Sequence, residues 1–300
     1  MNTVTNAVEH YIETSKFRLK PATIGAYRRH LSCHIAPFFG DTPYETVTSE
    51  VAQKFVNKLI EENGLSVNTA QSVFNLLRAT ILSDTGTKLA VKMPKRSKTI
   101  DDSLSVGEQK RIEQAAKLSR NIDNYVGIML CLYTGIRIGE ACGLLWSDIN
   151  FERKRLNINR TIQRICSDGD TKTVIAFLTP KSDTSERTIP IPDFLLDILR
   201  DFKATSKTDY VLSYKGKPIE PRTMQNRFKK ILETAGVRDV NFHMTRHCFA
   251  NRALERGFDI KTLSSLLGHS SPSVTLNFYA HSTFEHKQKC MNSLSAVYSA

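Results

Sequence analysis

Six polar side chains in the last two thirds of this 300-residue chain could together attack a phosphodiester without a metal. They are Arg137 in TGIRIGE, Lys181 in TPKSDTSERTIP, His243 and Arg246 in HMTRH, His269 in LLGHS and Tyr279 in NFYAH. Negative charge grows on the non-bridging oxygens of a phosphodiester as a nucleophile approaches, so the site needs fixed positive donors there. Arg137 and Arg246 suit that task, because a guanidinium binds bidentately and never loses its charge. A tyrosine hydroxyl, with an ordinary pKa of about 10, becomes an effective nucleophile only beside cations or a base. Tyr279 is therefore the candidate nucleophile, His243 a candidate base, and Lys181 a candidate general acid for the departing 5′-oxygen. A covalent phosphotyrosine would conserve the bond energy and allow rejoining without ATP.

Each residue alone has an ordinary reading. An arginine just after a helix complements the helix dipole, a turn lysine is solvated, and Phe278 with Tyr279 after Leu276 reads as a core pair. His243 and His247 stand at i and i+4, as in HExxH zinc helices, but HMTRH lacks the glutamate and puts an arginine beside the would-be ion. No metal and no cofactor is expected. The combination carries the chemistry.

The elements that must position these groups follow from apolar spacing. Residues 1–92 read as helical, a bundle of four: Val4, Val8, Tyr11 and Ile12 share one face, a second run continues from Pro21 to Ile35, Val51 to Ile60 forms a third helix, and Val73 to Ile81 a fourth that stops at Gly86. VKMPKRSKTIDD breaks the pattern and reads as a basic linker over 93–103. Ser105 and Glu108 form an S-x-x-E capping box that starts the next helix. Val126 to Tyr133 is an apolar helix ended at Gly135, so Arg137 lies just past a helix terminus. Leu156 to Ile162, Val174 to Leu178 and Thr188 to Ile191 alternate as strands of one short antiparallel sheet around a turn at 167–170, with Lys181 on a turn between strands. Helices return at 192–202, 221–235, 241–256 and 260–267, the third placing His243 and Arg246 on one face at i and i+3. The fold class is mainly α with a small antiparallel β-sheet.

Charge narrows the partner. The chain carries a formal +12, of which residues 1–93 supply only +2, so the linker and the larger part hold the electrostatic grip. Such a surplus favours a polyanion, and no apolar run reaches the roughly 18–20 residues of a membrane helix. Nucleic acid is the expected partner and the cytoplasm the expected place, since the N-terminus has no signal-peptide core. Lys95, Arg96 and Lys98 of the linker and Lys92 just before it, with Arg28 and Arg29 of the second helix, are candidate DNA contacts. The six cysteines (Cys33, Cys131, Cys142, Cys166, Cys248 and Cys290) form no CxxC pair and read as reduced, mostly buried thiols.

In this order and context, the segments resemble the tyrosine recombinase family: phage and mobile-element integrases together with Xer-type chromosome-dimer resolvases. TGIRIGEACGLLWSDIN is similar to the first arginine motif, matching Arg137 and the acid Glu140. KSDTSERTIPIP is similar to the lysine hairpin at Lys181, HMTRHCFANRALERG to the H-x-x-R motif at His243 and Arg246, LLGHSS to the second histidine at His269, and TLNFYAHS to the tyrosine motif at Tyr279. Thr245 stands where the family often has leucine. The resemblance implies a helical core-binding, SAM-like domain over 1–92 and a catalytic domain over 104–300, with a C-terminal segment at about 284–300 that helps form a tetramer.

The resemblance further implies a bacterial enzyme that cuts and rejoins duplex DNA at attachment sites through a 3′-phosphotyrosine, four copies joining two sites. It leaves room for an excisionase or a host DNA-bending protein as helper. The wording of TPKSDTSERTIPIP favours an integrase of a mobile element, with a Xer-type resolvase as the alternative. A catalytically silent DNA-binding relative and a type IB topoisomerase-like enzyme stand further off. Many large integrases carry an additional N-terminal arm-binding domain. This sequence opens almost directly on the core-binding helices, so it is expected to lack accessory arm sites or to be a truncated form.

Overall fold

A computed structural model describes residues 3–95, 104–166, 173–178, 186–269 and 271–279, with 288, 291 and 292. The chain divides into two compact units, Met1–Ile100 with Ile165–Val174 and Asp101–Arg164 with Ile175–Ala300.

The first unit is built from α1 (Val4–Thr14), α2 (Pro21–His30), α3 (Ala36–Phe39), α4 (Ser49–Glu61) and α5 (Val67–Thr85). A π-helical turn, Leu31–Ile35, joins α2 to α3, so the second of the four expected helices carries a local widening. Thr3, Thr48 and Ser66 cap α1, α4 and α5 by accepting from Asn6, Val51 and Thr69 backbone N–H groups. Val8, Ile12, Phe55, Leu59, Phe74 and Leu77 are among the side chains that fill the core. The fourth helix ends at Thr85 against Gly86, as its spacing predicts, but residues 86–95 have no regular structure, so the helical reading does not extend to residue 92. There the Gln53 side chain takes over the backbone pairing, accepting from the Lys92 N–H at 2.7 Å and donating to its carbonyl at 3.2 Å.

The second unit opens with α6 (Val106–Lys117), where Ser105 and Glu108 make the full capping box. Its centre is α7 (Ile122–Thr134), buried almost all round and packed by α6, α9 (Asp193–Thr205), α10 (Pro221–Thr234) and α11 (Met244–Glu255). A helix apolar on every side belongs in the middle of a core. The short α8 (Ile138–Cys142) follows α7, and α12 (Ile260–Leu267) and α13 (Pro272–Tyr279) follow α11.

The expected single sheet is two. β1 (Ile149–Asn150), β2 (Arg155–Ile158) and β5 (Arg187–Pro190) form one antiparallel sheet in the order β1-β2-β5, with Ile158 opposite Arg187. β3 (Thr161–Cys166) and β4 (Thr173–Leu178) form a separate pair, and β6 (Ser213–Tyr214) and β7 (Lys217–Pro218) a small hairpin. The apolar run 156–162 breaks at Asn159 and Arg160 because both side chains turn back to Asp148, at 3.2 and 2.6 Å.

Cys131, Cys142 and Cys248 are fully buried, and burial drives the Cys142 thiol up to about 12. Cys33 is exposed on the π-helical turn, so three of the four cysteines whose side chains are described are buried, in line with the expectation. The 167–170 turn lies outside the described residues, as do most of 284–300. Among the described residues no helix is long and apolar enough to cross a membrane.

Candidate active site

Arg137, His243, Arg246 and His269 come together around the C-terminal end of α12. Each is placed by a separate piece of local structure. Gly135 ends α7 in the left-handed region at φ +66°, which turns the chain so that Arg137 becomes the N-cap of α8. Arg246 sits one turn into α11 and is 2% exposed. His269 follows directly on the glycine that ends α12.

The arginines are held by backbone carbonyls and one carboxylate. Arg246 donates through Nη1 to Gly135 O and through Nη2 to Leu267 O, both at 2.7 Å, so one guanidinium ties the turn before Arg137 to the turn before His269. Arg137 is more open, with 38% of its side chain exposed. Its Nη1 donates to Glu140 Oε1 at 2.9 Å and its backbone N–H to Glu140 Oε2 at 2.8 Å, while Nη2 reaches Gly268 O at 3.4 Å. Burial alone would raise the Glu140 carboxyl pKa, but the Arg187 hydrogen bonds and the charges of Arg187 and Arg137 outweigh it and hold the acid ionised.

His243 corrects an expectation. It lies outside the helix as the N-cap of α11, not within it, and its ring meets His247 edge to face with centroids 5.0 Å apart. Thr245 is buried and donates to Phe242 O at 2.8 Å, which anchors the turn that presents His243. His269 Nδ1 lies 2.8 Å from Thr275 Oγ1, a buried side chain on α13. That bond joins the second histidine to the helix that ends at Tyr279.

Both imidazoles are kept neutral. The residue His243 is exposed overall, yet protein atoms crowd its ring, and this loss of hydration, with His247, Arg246 and Arg137 nearby, lowers its pKa to about 4. His269 falls to about 4 for the same leading reason, followed by the charges of Arg246, Arg137 and Arg187. A histidine with a folded pKa below its unfolded value of about 6.5 binds fewer protons when folded, so its stabilising contribution is complete above 6.5 and is lost as pH falls toward 4. The thermal midpoint should therefore drop as pH is lowered across that window. In His269→Gln the drop should be shallower, which melting curves in a pH series will read.

Lys181, Arg96 and Lys98 lie outside the described residues. The backbone of Tyr279 ends α13, which packs on α12. Among the remaining expected DNA contacts, Lys92, Lys95 and Arg29 are exposed, whereas Arg28 is half-buried and pairs with Glu13 at 3.2 Å. Sequence reasoning missed Arg187, which lies within the KSDTSERTIPIP segment. Its side chain is buried and it donates to both oxygens of Glu140.

The phage integrase family profile matches residues 103–286, and the profile of its N-terminal SAM-like domain matches residues 3–60. The chain belongs to the phage integrase family. As a member it is a site-specific recombinase of the tyrosine type. It is 30% identical to a XerC-like tyrosine recombinase of Caldanaerobacter subterraneus subsp. tengcongensis, over 95% of this chain and 81% of that protein. It is 27% identical to the transposase of transposon Tn916 from Enterococcus faecalis, over 57% of this chain and 45% of that one. The fold is that of the Tn1549 transposon integrase, solved with transposon right-end DNA: TM-score 0.83 at 21% identity, covering 98% of this chain and 99% of that one. A lambda integrase dimer on a COC′ core site aligns at TM-score 0.69 and 20% identity, covering 91% and 97%.

Proposed function

We propose that this family member integrates and excises a mobile element by cutting and rejoining duplex DNA at attachment sites through a 3′-phosphotyrosine on Tyr279. The observation that carries this reading is the convergence of Arg137, Arg246, His243 and His269 on the end of α12, with α13 leading from that point to Tyr279. Arg137 and Arg246 bind the non-bridging oxygens of the scissile phosphate. The Tyr279 oxygen attacks phosphorus as its proton passes to His243, the bond to the 5′-oxygen breaks, and Lys181 supplies the proton that makes the 5′-hydroxyl. The 5′-hydroxyl freed in the same way from a partner strand then attacks the phosphotyrosine and releases Tyr279. A phosphate anion between the arginines opposes their effect on His243 and His269, raising both pKa values toward the range where an imidazole can accept a proton.

The reading extends to its partners. Two DNA sites are held by four copies, with Lys92, Lys95, Arg96, Lys98, Arg28 and Arg29 gripping the backbone and an excisionase or host DNA-bending protein setting direction. Boundaries at 1–92, 93–103 and 104–300, a tetramer-forming segment at about 284–300 and a bacterial cytoplasm complete it. The match to a XerC-like recombinase along 95% of the chain favours a second reading, dimer resolution at a chromosomal or plasmid site. Sequencing recombinant junctions separates the two, since an integrase joins the ends of an element and a resolvase recombines identical resident sites.

The test is a nicked suicide duplex carrying the flanking attachment sequence, incubated with the full chain in EDTA. Wild type should form a covalent protein–DNA adduct and Tyr279→Phe none. Absence of the wild-type adduct, or its persistence in Tyr279→Phe, refutes the mechanism.

A further inference from the structure

Three consecutive carbonyls at the end of α12 are each taken by a different arginine. Leu266 O accepts from Arg187 Nε at 2.7 Å, Leu267 O from Arg246 Nη2 at 2.7 Å, and Gly268 O from Arg137 Nη2 at 3.4 Å. His269 is the next residue. The orphan carbonyls of a helix C-terminus carry partial negative charge and attract cations, but three guanidiniums on one helix end concentrate positive charge far beyond what capping needs.

Arg187 combines what the other two have singly: like Arg246 it is shut away, with 6% of its side chain exposed, and like Arg137 it faces Glu140. Its Nη1 reaches Oε1 at 3.2 Å and its Nη2 reaches Oε2 at 2.9 Å, so the planar fork covers the carboxylate while Nε holds α12. Glu140 thus stands between two guanidiniums, Arg187 on one side and Arg137 on the other. Without Arg187 the 3%-exposed carboxylate would keep Arg137 as its sole charged partner among the contacts above, and Arg137 would be drawn into neutralising it. With Arg187 in place, one positive charge balances Glu140 and the charge of Arg137 remains available to an anion.

We propose that Arg187 is a positioning residue for recombination, setting Arg137 through Glu140 and His269 through the Leu266 carbonyl while making no contact with DNA. The proposal rests on the reading of Arg137 and His269 as groups that act on the scissile phosphate. It predicts a separation of cleavage from binding. Arg187→Gln removes the balancing charge, and Arg187→Lys keeps a charge but cannot make three coplanar hydrogen bonds.

Both full-length variants would be assayed on the nicked suicide duplex under single-turnover conditions at saturating DNA, with duplex affinity and thermal midpoint measured in parallel. Cleavage should fall by roughly 30-fold or more, as expected when a reacting group is displaced by a fraction of its length, while the Kd for the duplex stays within about threefold. Cleavage within threefold of wild type, a loss matched by the unfolded fraction, a rise in Kd with the saturated rate intact, or failure of both variants to fold would each overturn the proposal. Wild type and Tyr279→Phe run alongside. A missing wild-type adduct strikes at the phosphotyrosine mechanism itself, whereas an intact wild-type adduct with fully active Arg187 variants strikes at Arg187 alone.

Discussion

Arg246→Lys should lose strand cleavage by roughly 100- to 1,000-fold, the scale seen when a preorganised donor is removed from a developing oxyanion. The reason lies in where the two ends of its guanidinium go. One end holds Gly135 O, two residues before Arg137, and the other holds Leu267 O, two residues before His269. The turns that carry two other site residues are thereby set at a fixed separation by one planar group. An ammonium can satisfy one of these carbonyls in the same space but not both, so one of them loses its partner at a 2%-exposed position. An unsatisfied buried carbonyl costs about 1–3 kcal/mol, which should lower the urea midpoint measurably without unfolding the chain. Single-turnover adduct formation and urea unfolding of the same preparation give both numbers. A rate within threefold of wild type would mean that charge alone is needed at this position and that the fork geometry is idle.

That coupling explains which parts of the site can be read from the sequence. Arg137, His243, Arg246 and His269 each carry a local signature: a glycine-ended apolar helix, an H-x-x-R turn and a glycine before the histidine. Local wording is visible along one chain. Arg187 is harder to read because its partners lie 47 and 79 residues away. A faint signal exists even so. Strand side chains alternate between faces, and Arg187 is two residues from the buried Ile189, so it points to the same side as a core residue. A charged side chain on an inward face implies a buried counter-charge, and Glu140 is that partner.

The fold shows the same division. Helices with strong apolar stripes, such as α4 and α9, are plain from spacing, because their buried face is contiguous on a 3.6-residue period. Where long-range polar contacts redirect the chain, spacing misleads. The run 156–162 looks like one strand, yet Asp148 draws Asn159 and Arg160 aside and divides it between two sheets. His243 has helical spacing to Arg246 and His247 but sits at the cap, because the Phe242 carbonyl is taken by the Thr245 hydroxyl at the start of the helix. The five-residue α8 is too short to show periodicity at all.

Gly135→Ala should strongly destabilise the second unit. Two independent costs meet at this position. The residue has φ +66°, which costs a side-chain-bearing residue about 1–2 kcal/mol. A Cβ built there would lie 2.4 Å from Phe249 Cδ1 and 2.8 Å from Leu267 Cδ2. Relieving that overlap forces a shift of the kind that costs about 1–3 kcal/mol in a packed interior. The sum, about 2–5 kcal/mol, corresponds to a fall of roughly 5–15 °C in the melting midpoint of a unit this size. Gly236→Ala isolates the first cost, for it has φ +59° with nothing within 4 Å of its would-be Cβ, and it should lose only a few degrees. The consequence for chemistry is separate from stability. The Gly135 carbonyl accepts from Arg246 and the Leu267 side chain sits on the helix end that leads to His269, so relief of the clash moves the anchors of both arginines at once. Cleavage by Gly135→Ala, measured well below its melting midpoint, should therefore fall by more than its unfolded fraction allows, while Gly236→Ala cleaves normally. If the two variants melt together, Phe249 yields to a methyl group at little cost, and the rigidity assigned here to the Gly135 turn belongs to Arg246 instead.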